Sequence, residues 1–152
     1  MIILCSIKIY DKTKDKAMSR NNPNEIVLDS KSFLVSETDS KGIIKFANDD
    51  FCKYAEYSLD ELLGEPHNMV RHPDMPRAAF KDLWDTVRKG KVWKGFVKNA
   101  TKNGKYYWVF ATVYPFKSCD GTDGFISCRR KASEDEIQKY TELYKTMKTQ
   151  ER

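Results

Sequence analysis

The stretch "PHNMVRHPDMP", residues 66 to 76, contains both histidines of the chain, three of its five prolines, an arginine and an aspartate. A stiff connection into a helix accounts for the prolines, with Asp74 as the N-cap of that helix. It does not account for Arg71 beside His72, because a mere connection does not need a guanidinium next to an imidazole. A fixed guanidinium is a strong hydrogen-bond donor to phosphate oxygens. The stretch therefore indicates a site for a ligand that bears phosphate.

Two short apolar runs precede this stretch, at residues 32–39 and 42–48, and "DSKG" joins them with the composition of a tight hairpin turn. The runs predict two antiparallel strands. Three short helical pieces are expected next. Asn48 is placed to cap the first, and Ser58 and Glu61 have the capping-box spacing at the second.

A longer helix, three strands and a final helix are predicted after the stretch. Residues 77–89 have apolar side chains at i, i+3, i+4 and i+7, which is the pattern of an amphipathic helix. From residue 92 the pattern changes to strands, with Lys-Asn-Gly-Lys at 102–105 as a hairpin turn. Ser133 and Glu136 form a capping box for the last helix, whose apolar stripe is Ile137, Tyr140, Tyr144 and Met147.

This order predicts an α+β domain, a five-stranded antiparallel sheet with short helices packed on one face and a C-terminal helix. We divide the chain into a flexible or helical leader at 1–31, a sensor domain at 32–132 and the helix at 133–152.

Composition excludes several classes of protein. The chain is 40% hydrophobic and 32% charged, as soluble globular proteins are. The net charge of +5 is scattered, without the basic stripe that nucleic-acid binding needs. The apolar start "MIILCSIKIY" is too short to span a bilayer, so no direct membrane insertion is expected. The four cysteines are far apart and none form C-x-x-C, which favours reduced thiols in a cytoplasmic protein.

Catalytic and metal patterns are missing around the two histidines. There is no G-x-S-x-G elbow and no H-E-x-x-H pair, so we expect neither an enzyme nor a zinc site. His67 or His72 could still ligate a haem iron.

Three segments together resemble the PAS domain of the bacterial aerotaxis receptor family. They are "ANDDFCKYAEYSLDELLGEPHNMVRHPDMPRAAFKDLW", "KGKVWKGFVKNATKNGKYYWV" and the part from "ATVYPF" through "ASEDEIQKY". The resemblance runs from about Phe33 to Met147. Its core, "GEPHNMVRHPDMP" with W-x-G-x-V-K-N, is much longer than the features that a generic PAS domain shares.

This resemblance implies a non-covalently bound FAD between the sheet and the helices, whose redox state reports oxygen or respiratory electron flow. The expected cofactor-binding residues are Asn48, His67, Arg71, His72, Asp74, Trp93 and Asn99. The two asparagines would be polar groups of the flavin pocket, Trp93 a stacking face, and Arg71, His72 and Asp74 would hold or order the rest of the cofactor. A plain helix cap remains open for Asn48.

The resemblance also implies a partner, a chemoreceptor-type transducer with a HAMP or signalling domain, in cis or in trans, and a possible homodimer. The expected output surfaces are the outer face of the sheet, with Phe96, Val97, Tyr107 and Val109, and the apolar stripe of the final helix. That stripe could equally pack on its own domain.

Three other functions remain to be weighed. Flavin photoreceptors of the same superfamily carry a reactive cysteine beside the ring, and residues 64–72 contain none, so adduct formation is not expected. A haem-binding gas sensor and a cofactor-free PAS dimerisation or docking module are the alternatives.

Overall fold

A computed structural model describes residues 22–151. The first two strands are β1 (Phe33–Asp39) and β2 (Ile44–Ala47), followed by helices α1 (Asp49–Ala55) and α2 (Leu59–Leu62) and a 3-10 turn at His67–Val70. Helix α3 (Arg77–Val87) precedes the strands β3 (Trp93–Ala100), β4 (Tyr106–Lys117) and β5 (Asp123–Lys131), and α4 (Glu134–Gln150) ends the order. The predicted α+β class and the predicted order of elements are confirmed.

The five strands form one antiparallel sheet in the order β2-β1-β5-β4-β3. The first strand of the chain therefore lies beside the last, in the middle of the sheet. Helices α1, α2 and α3 cover one face, which we call the inner face. Hydrophobic residues from this face and from these helices form the main core.

The helix starts follow the local sequence signals. Asn48 caps α1 and accepts a hydrogen bond from the Phe51 amide. Both predicted capping boxes are present, at Ser58 with Glu61 and at Ser133 with Glu136. These boxes satisfy amide groups that the first turn of a helix leaves unpaired.

The proline-rich stretch crosses the inner face from one edge of the sheet to the other. Pro66 pairs with Ile43 next to β2, and Arg71 pairs with Asn99 in β3. Five residues reach at most roughly 18 Å, and the 3-10 turn shortens that reach. The outer strands of a flat five-stranded sheet would lie roughly 19 Å apart. The stretch therefore reaches across most of the width of the sheet and covers its inner face.

Helix α4 packs on the opposite, outer face of the sheet. The Tyr144 hydroxyl donates to the Phe96 carbonyl at 2.6 Å, and the Tyr144 ring stacks with Trp108 at 6.1 Å. Tyr140 lies against Phe96, with ring centroids 4.3 Å apart. The apolar stripe of this helix thus packs on its own domain. Of the two roles expected for the stripe, output surface or packing within the domain, the structure shows the packing.

The prediction that Val97, Tyr107 and Val109 lie on the outer face is wrong. Val97 lines the inner cavity, and Val109 and Tyr107 share its face because they pair with Val97 and Asn99 across the ladder. Only Phe96 of the predicted set lies outside. Both faces of β3 and β4 are covered by helices, so their apolar residues do not alternate with polar ones and the sequence does not reveal which face each one occupies.

The structure describes the second part of the predicted leader, residues 22–31. Residues 22–31 run beside β4, where the Ile26 amide bonds to the Tyr106 carbonyl, and Leu28 is buried. Residues 1–21 lie outside the described residues, so the boundary at residue 31 stays a prediction. Between residues 22 and 151, no helix has the length and apolar character needed to cross a membrane.

Replacing Tyr144 by Phe removes the hydroxyl that bonds to Phe96 and leaves a buried carbonyl unpaired. We expect the free energy of unfolding to fall by about 1 to 2 kcal/mol, measured by urea denaturation. Tyr140→Phe is the matched control, because that hydroxyl has no hydrogen-bond partner among residues 22–151, and it should change stability by less than about 0.5 kcal/mol. Equal effects of the two substitutions would contradict the assignment.

Candidate functional site

A cavity of about 250 Å³ lies between the inner face of the sheet, α3 and the proline-rich stretch. Strands contribute Ser36, Thr38, Val97, Asn99, Ala111, Val113, Phe125, Ser127 and Arg129; turns and helices contribute Lys41, Gly42, Pro66, His67, Asn68, Val70, Arg71, Phe80, Leu83, Trp84 and Arg88. Four of these side chains are cationic and none is a carboxylate. The cavity therefore has a positive potential, which favours an anionic ligand.

Arg129 of β5 is the most deeply buried of these cations, with 6% of its surface exposed. Its Nε donates to Ser127 Oγ at 2.9 Å, and Nη2 lies 3.2 Å from His67 Nε2. With the Asn99 amide assigned in the orientation in which both its oxygen and its nitrogen are hydrogen-bonded, Nη1 donates to Asn99 Oδ1 at 3.1 Å. All three partners are neutral. No carboxylate pairs with Arg129 within the described part of the chain, so its buried charge is not compensated.

Asn99 of β3 connects this guanidinium to the proline-rich stretch. Its Nδ2 donates to the Val70 carbonyl at 3.2 Å while Oδ1 accepts from Arg129. The adjacent Tyr107 is fully buried, and its hydroxyl has no hydrogen-bond partner among residues 22–151. Burial raises the pKa of Tyr107 to about 12, so the group is neutral near pH 7.

His67 lines the cavity as a neutral imidazole. Its Nε2 is within hydrogen-bond distance of both Ser36 Oγ, at 3.0 Å, and Arg129 Nη2. Arg129 can only donate, so Nε2 accepts and the proton is assigned to Nδ1. Burial, reinforced by the Arg129 charge, lowers the pKa of His67 to about 3.

Two aromatic rings line the cavity. Trp84 of α3 and Phe125 of β5 contact edge to face, with centroids 5.4 Å apart. Gly42 lets Trp84 approach the β1–β2 turn, because a Cβ there would lie only 3.2 Å from the indole. Arg88 stacks over the same indole, 5.0 Å from its centroid. Trp84 is thus the tryptophan that borders the cavity, whereas the predicted stacking residue Trp93 is not part of the lining.

Arg71 stands at the boundary between the cavity and an outer groove. It lines both spaces, its guanidinium lies 3.5 Å above the Phe80 ring, and its buried Nε has no partner in the described residues. The groove has a volume of about 580 Å³ and is lined by Asn68, Arg71, His72, Pro73, Met75, Arg77, Lys148 and Glu151. One ligand could therefore extend from the cavity past Arg71 into the groove.

His72 and Asp74 lie on the groove side. His72 Nδ1 accepts from the Asp74 amide at 3.0 Å, and burial lowers the pKa of His72. The Asp74 carboxylate accepts from Lys98 Nζ at 2.7 Å, and this bond holds its pKa below the usual value.

The interpretation of Asp74 as the cap of α3 is wrong. Helix α3 has no side-chain cap of its own, and Glu151 Oε1 accepts from the Ala78 amide at 3.0 Å instead. The capping group thus comes from the far end of α4, which the sequence around α3 cannot indicate.

The remaining two predicted residues lie outside the cavity lining. Asn48 Oδ1 accepts from the Val35 and Phe51 amides and its Nδ2 donates to the Phe33 carbonyl, so its polar atoms are engaged in holding α1 to β1. Trp93 is buried over Gly95, and its indole donates to Asp82 at 2.8 Å. Of the seven predicted site residues, the cavity brings together His67, Arg71 and Asn99. A ligand contact stays a prediction for all seven.

Arg129 and Trp84 are the site residues that sequence reasoning missed. "FISCRRKA" gives each strand face one arginine, so nothing local distinguishes the buried Arg129 from the exposed Arg130. Alternate residues of a strand share a face, so Phe125, Ser127 and Arg129 could be grouped from the sequence. The sequence does not show that this face is the inner one.

A family model described as the PAS fold matches residues 44–128. The chain belongs to the PAS-fold family, and its PAS domain is of the type found in aerotaxis receptors. Over 114 residues it is 48% identical to the aerotaxis receptor of Escherichia coli strain K12, covering 75% of this chain and 22% of that protein.

More distant similarities are found in sequence and in structure. The chain is 27% identical to the nitrogen fixation regulatory protein of Klebsiella pneumoniae over 95 residues, which are 62% of this chain and 19% of that protein. It thus spans about a fifth of the length of these two curated relatives. The dark structure of the blue-light photoreceptor Aureochrome1 LOV superposes with a TM-score of 0.59 at 21% identity, covering 80% of this chain and 86% of that one.

A neutral His67 makes stability depend on pH in a defined direction. Its folded pKa of about 3 lies below the unfolded value of 6.5, so its contribution is complete above pH 6.5 and is lost as the pH falls towards 3. Between pH 6 and 4 the free energy of unfolding of the wild type should fall by up to roughly 1.4 kcal/mol per pH unit because of His67. In His67→Gln this part of the pH dependence should disappear from unfolding curves measured at each pH. His72→Gln, the control, should retain most of that slope. A His67→Gln slope equal to that of wild type would contradict the assignment.

Proposed function

We propose that this chain is a redox sensor that binds FAD non-covalently in its PAS domain and responds to oxygen or respiratory electron flow. Identity of 48% to a protein named aerotaxis receptor supports a role in taxis. The observation that carries the flavin proposal is the cavity, which has four cationic side chains and no carboxylate in its lining. These features fit a flat cofactor that bears phosphate.

The inner part of the cavity suits an isoalloxazine ring. Trp84 and Phe125 supply flat apolar surface, while the Asn99 amide and the Arg129 N–H groups supply hydrogen-bonding capacity at the sheet. When bound, the flavin would supply the reversible uptake of electrons.

The outer groove supports FAD over FMN. A volume of about 250 Å³ is below the usual range for the site of a whole ligand, so only the ring part would lie in the cavity. Arg71 and Lys148 line the groove and would hold a diphosphate, whereas Arg77 and the N-terminus of α3 are already paired with Glu151. His72 and Asp74 would order this side, and Asn48 and Trp93 would fix the helices around the ring.

The other candidate functions fit the cavity less well. A haem ligand needs a free imidazole nitrogen, but Nε2 of His67 already accepts from Arg129, and His72 lies in the outer groove. A cofactor-free docking module would have its pocket filled by side chains. Adduct chemistry needs a cysteine at the ring, and none of the described cysteines lines the cavity.

The signal would pass by protein–protein contact to a chemoreceptor-type transducer, in cis or in trans, with a homodimer as a possible assembly. A charge change at the ring would act on Asn99 and Arg129, which belong to β3 and β5. An element with two arrangements, biased by the state of the cofactor, would then carry the output.

An absorbance spectrum of the freshly purified protein tests this function. We expect two bands, in the near ultraviolet and the blue, that bleach with dithionite under nitrogen and return in air. Heat release and chromatography should identify FAD, and apoprotein should bind FAD more tightly than riboflavin, which lacks the phosphates. A Soret band, or a protein that stays colourless after incubation with FAD, would contradict the proposal.

A further inference from the structure

Helix α3 begins without a cap or an anion of its own. Its first residue is Arg77, no acidic residue lies in its first turn, and Pro76 before it makes no side-chain cap. The partial positive charge at a helix start makes a cation there unfavourable and an anion favourable. Glu151 supplies this anion from the end of α4. Its Oε1 accepts from the Ala78 amide at 3.0 Å, and its Oε2 lies 3.6 Å from Arg77 Nε.

Two residues of the last turn of α4, residues 148–151, contact the far side of the proline-rich stretch. Glu151 holds the start of α3, and Lys148 Nζ donates to the Pro73 carbonyl. The Glu151 side chain is 19% exposed, whereas Arg77 is 82% exposed. Water screens an ion pair with so exposed a partner, so the bond to the Ala78 amide contributes more than the ion pair does.

Helix α4 reaches these contacts by passing the edge of the sheet. Tyr144 packs on the outer face and donates to the Phe96 carbonyl in β3, which is an edge strand. Lys148 and Glu151 follow roughly 6 and 10 Å further along the helix axis. There they contact the stretch and α3, which cover the inner face. The last turn of α4 therefore connects the outer face directly to the segment that encloses the cavity.

The same turn forms one wall of the outer groove. Lys148 and Glu151 line the groove from α4, and its other lining residues belong to the stretch or to the start of α3. The groove is therefore complete only while the last turn of α4 stays docked. Lys148 is the cation of this wall, and the Glu151 carboxylate beside it is balanced by Arg77 and the start of α3.

We infer that Glu151 is a positioning residue that closes the outer groove over the diphosphate of the cofactor. This inference rests on the proposed function. Glu151 acts through Lys148, because it holds the last turn of α4 against α3 and so keeps Lys148 at the groove. A ligand that ends in the inner cavity gains nothing from this wall. Since coupling is reciprocal, FAD in the groove holds the last turn of α4 in place, whichever redox state the ring has.

The first test compares Glu151→Ala with Glu142→Ala, which removes the same charge from an exposed position of α4. Dissociation constants of each apoprotein are measured for FAD and for riboflavin. Glu151→Ala should weaken FAD by about tenfold, the loss of one hydrogen bond to a charged group, and leave riboflavin binding unchanged. Glu151→Gln keeps an acceptor for the Ala78 amide and should lie between the wild type and Glu151→Ala. Glu142→Ala should bind both ligands as the wild type does.

A double-mutant cycle separates positioning from a general effect on stability. Lys148→Ala should weaken FAD as Glu151→Ala does, and the double variant should be no weaker than Lys148→Ala alone, because the two residues act as a unit. A Glu151 that only stabilises α3 would give losses that add, and additive losses would overturn the inference.

Hydrogen exchange on the wild type gives a test without any variant. At equal saturation, FAD should slow exchange of the Ala78 amide and of the amides of the last turn of α4, and riboflavin should not. Equal protection by the two ligands, or a Glu151→Ala protein that binds FAD as tightly as the wild type, would overturn the inference and leave the proposed function intact. Failure of the wild type to bind FAD would instead overturn the proposed function.

Discussion

A guanidinium removed from water needs acceptors for its N–H groups, and Arg129 finds them on three separate elements. Ser127 lies on β5, Asn99 on β3 and His67 on the 3-10 turn. One side chain thus fixes the spacing between two strands and the segment that crosses them. Burying a cation without a carboxylate is costly. The structure carries this cost at the position where a ligand with negative charge or strong acceptors would offset it.

The proline-rich stretch has two physical roles that its sequence combines. It bridges the two edge strands of the sheet, through Ile43 and Asn99, and so encloses the cavity. It also supplies His67 and Arg71, which face the cavity, and His72, which faces the groove. Prolines limit the backbone freedom of the stretch, and so its side chains are held in place before a ligand arrives. Glu151 at the end of α4 ties the start of α3 to this region.

Local signals predicted the elements well, because hairpin turns and capping boxes depend on residues close in sequence. They failed where the outcome depends on distant partners. The N-cap of α3 comes from Glu151, more than seventy residues away. Strands β3 and β4 are covered on both faces, so the orientation of Val97 and Tyr107 depends on the register of the sheet. For the candidate site, the residues of the stretch themselves indicated a ligand and the family resemblance added Asn99, whereas Arg129 has no local signature.

The central claim is that the buried Arg129 and Asn99 side chains meet the flavin ring in the cavity on the inner face of the sheet. Side-chain nitrogen resonances of these residues, recorded by NMR before and after FAD is added to apoprotein, test it most directly. The account predicts large shifts at Arg129 Nε and Asn99 Nδ2, with small shifts at Arg130 on the exposed face. Binding of FAD that leaves the Arg129 and Asn99 signals unchanged would contradict it.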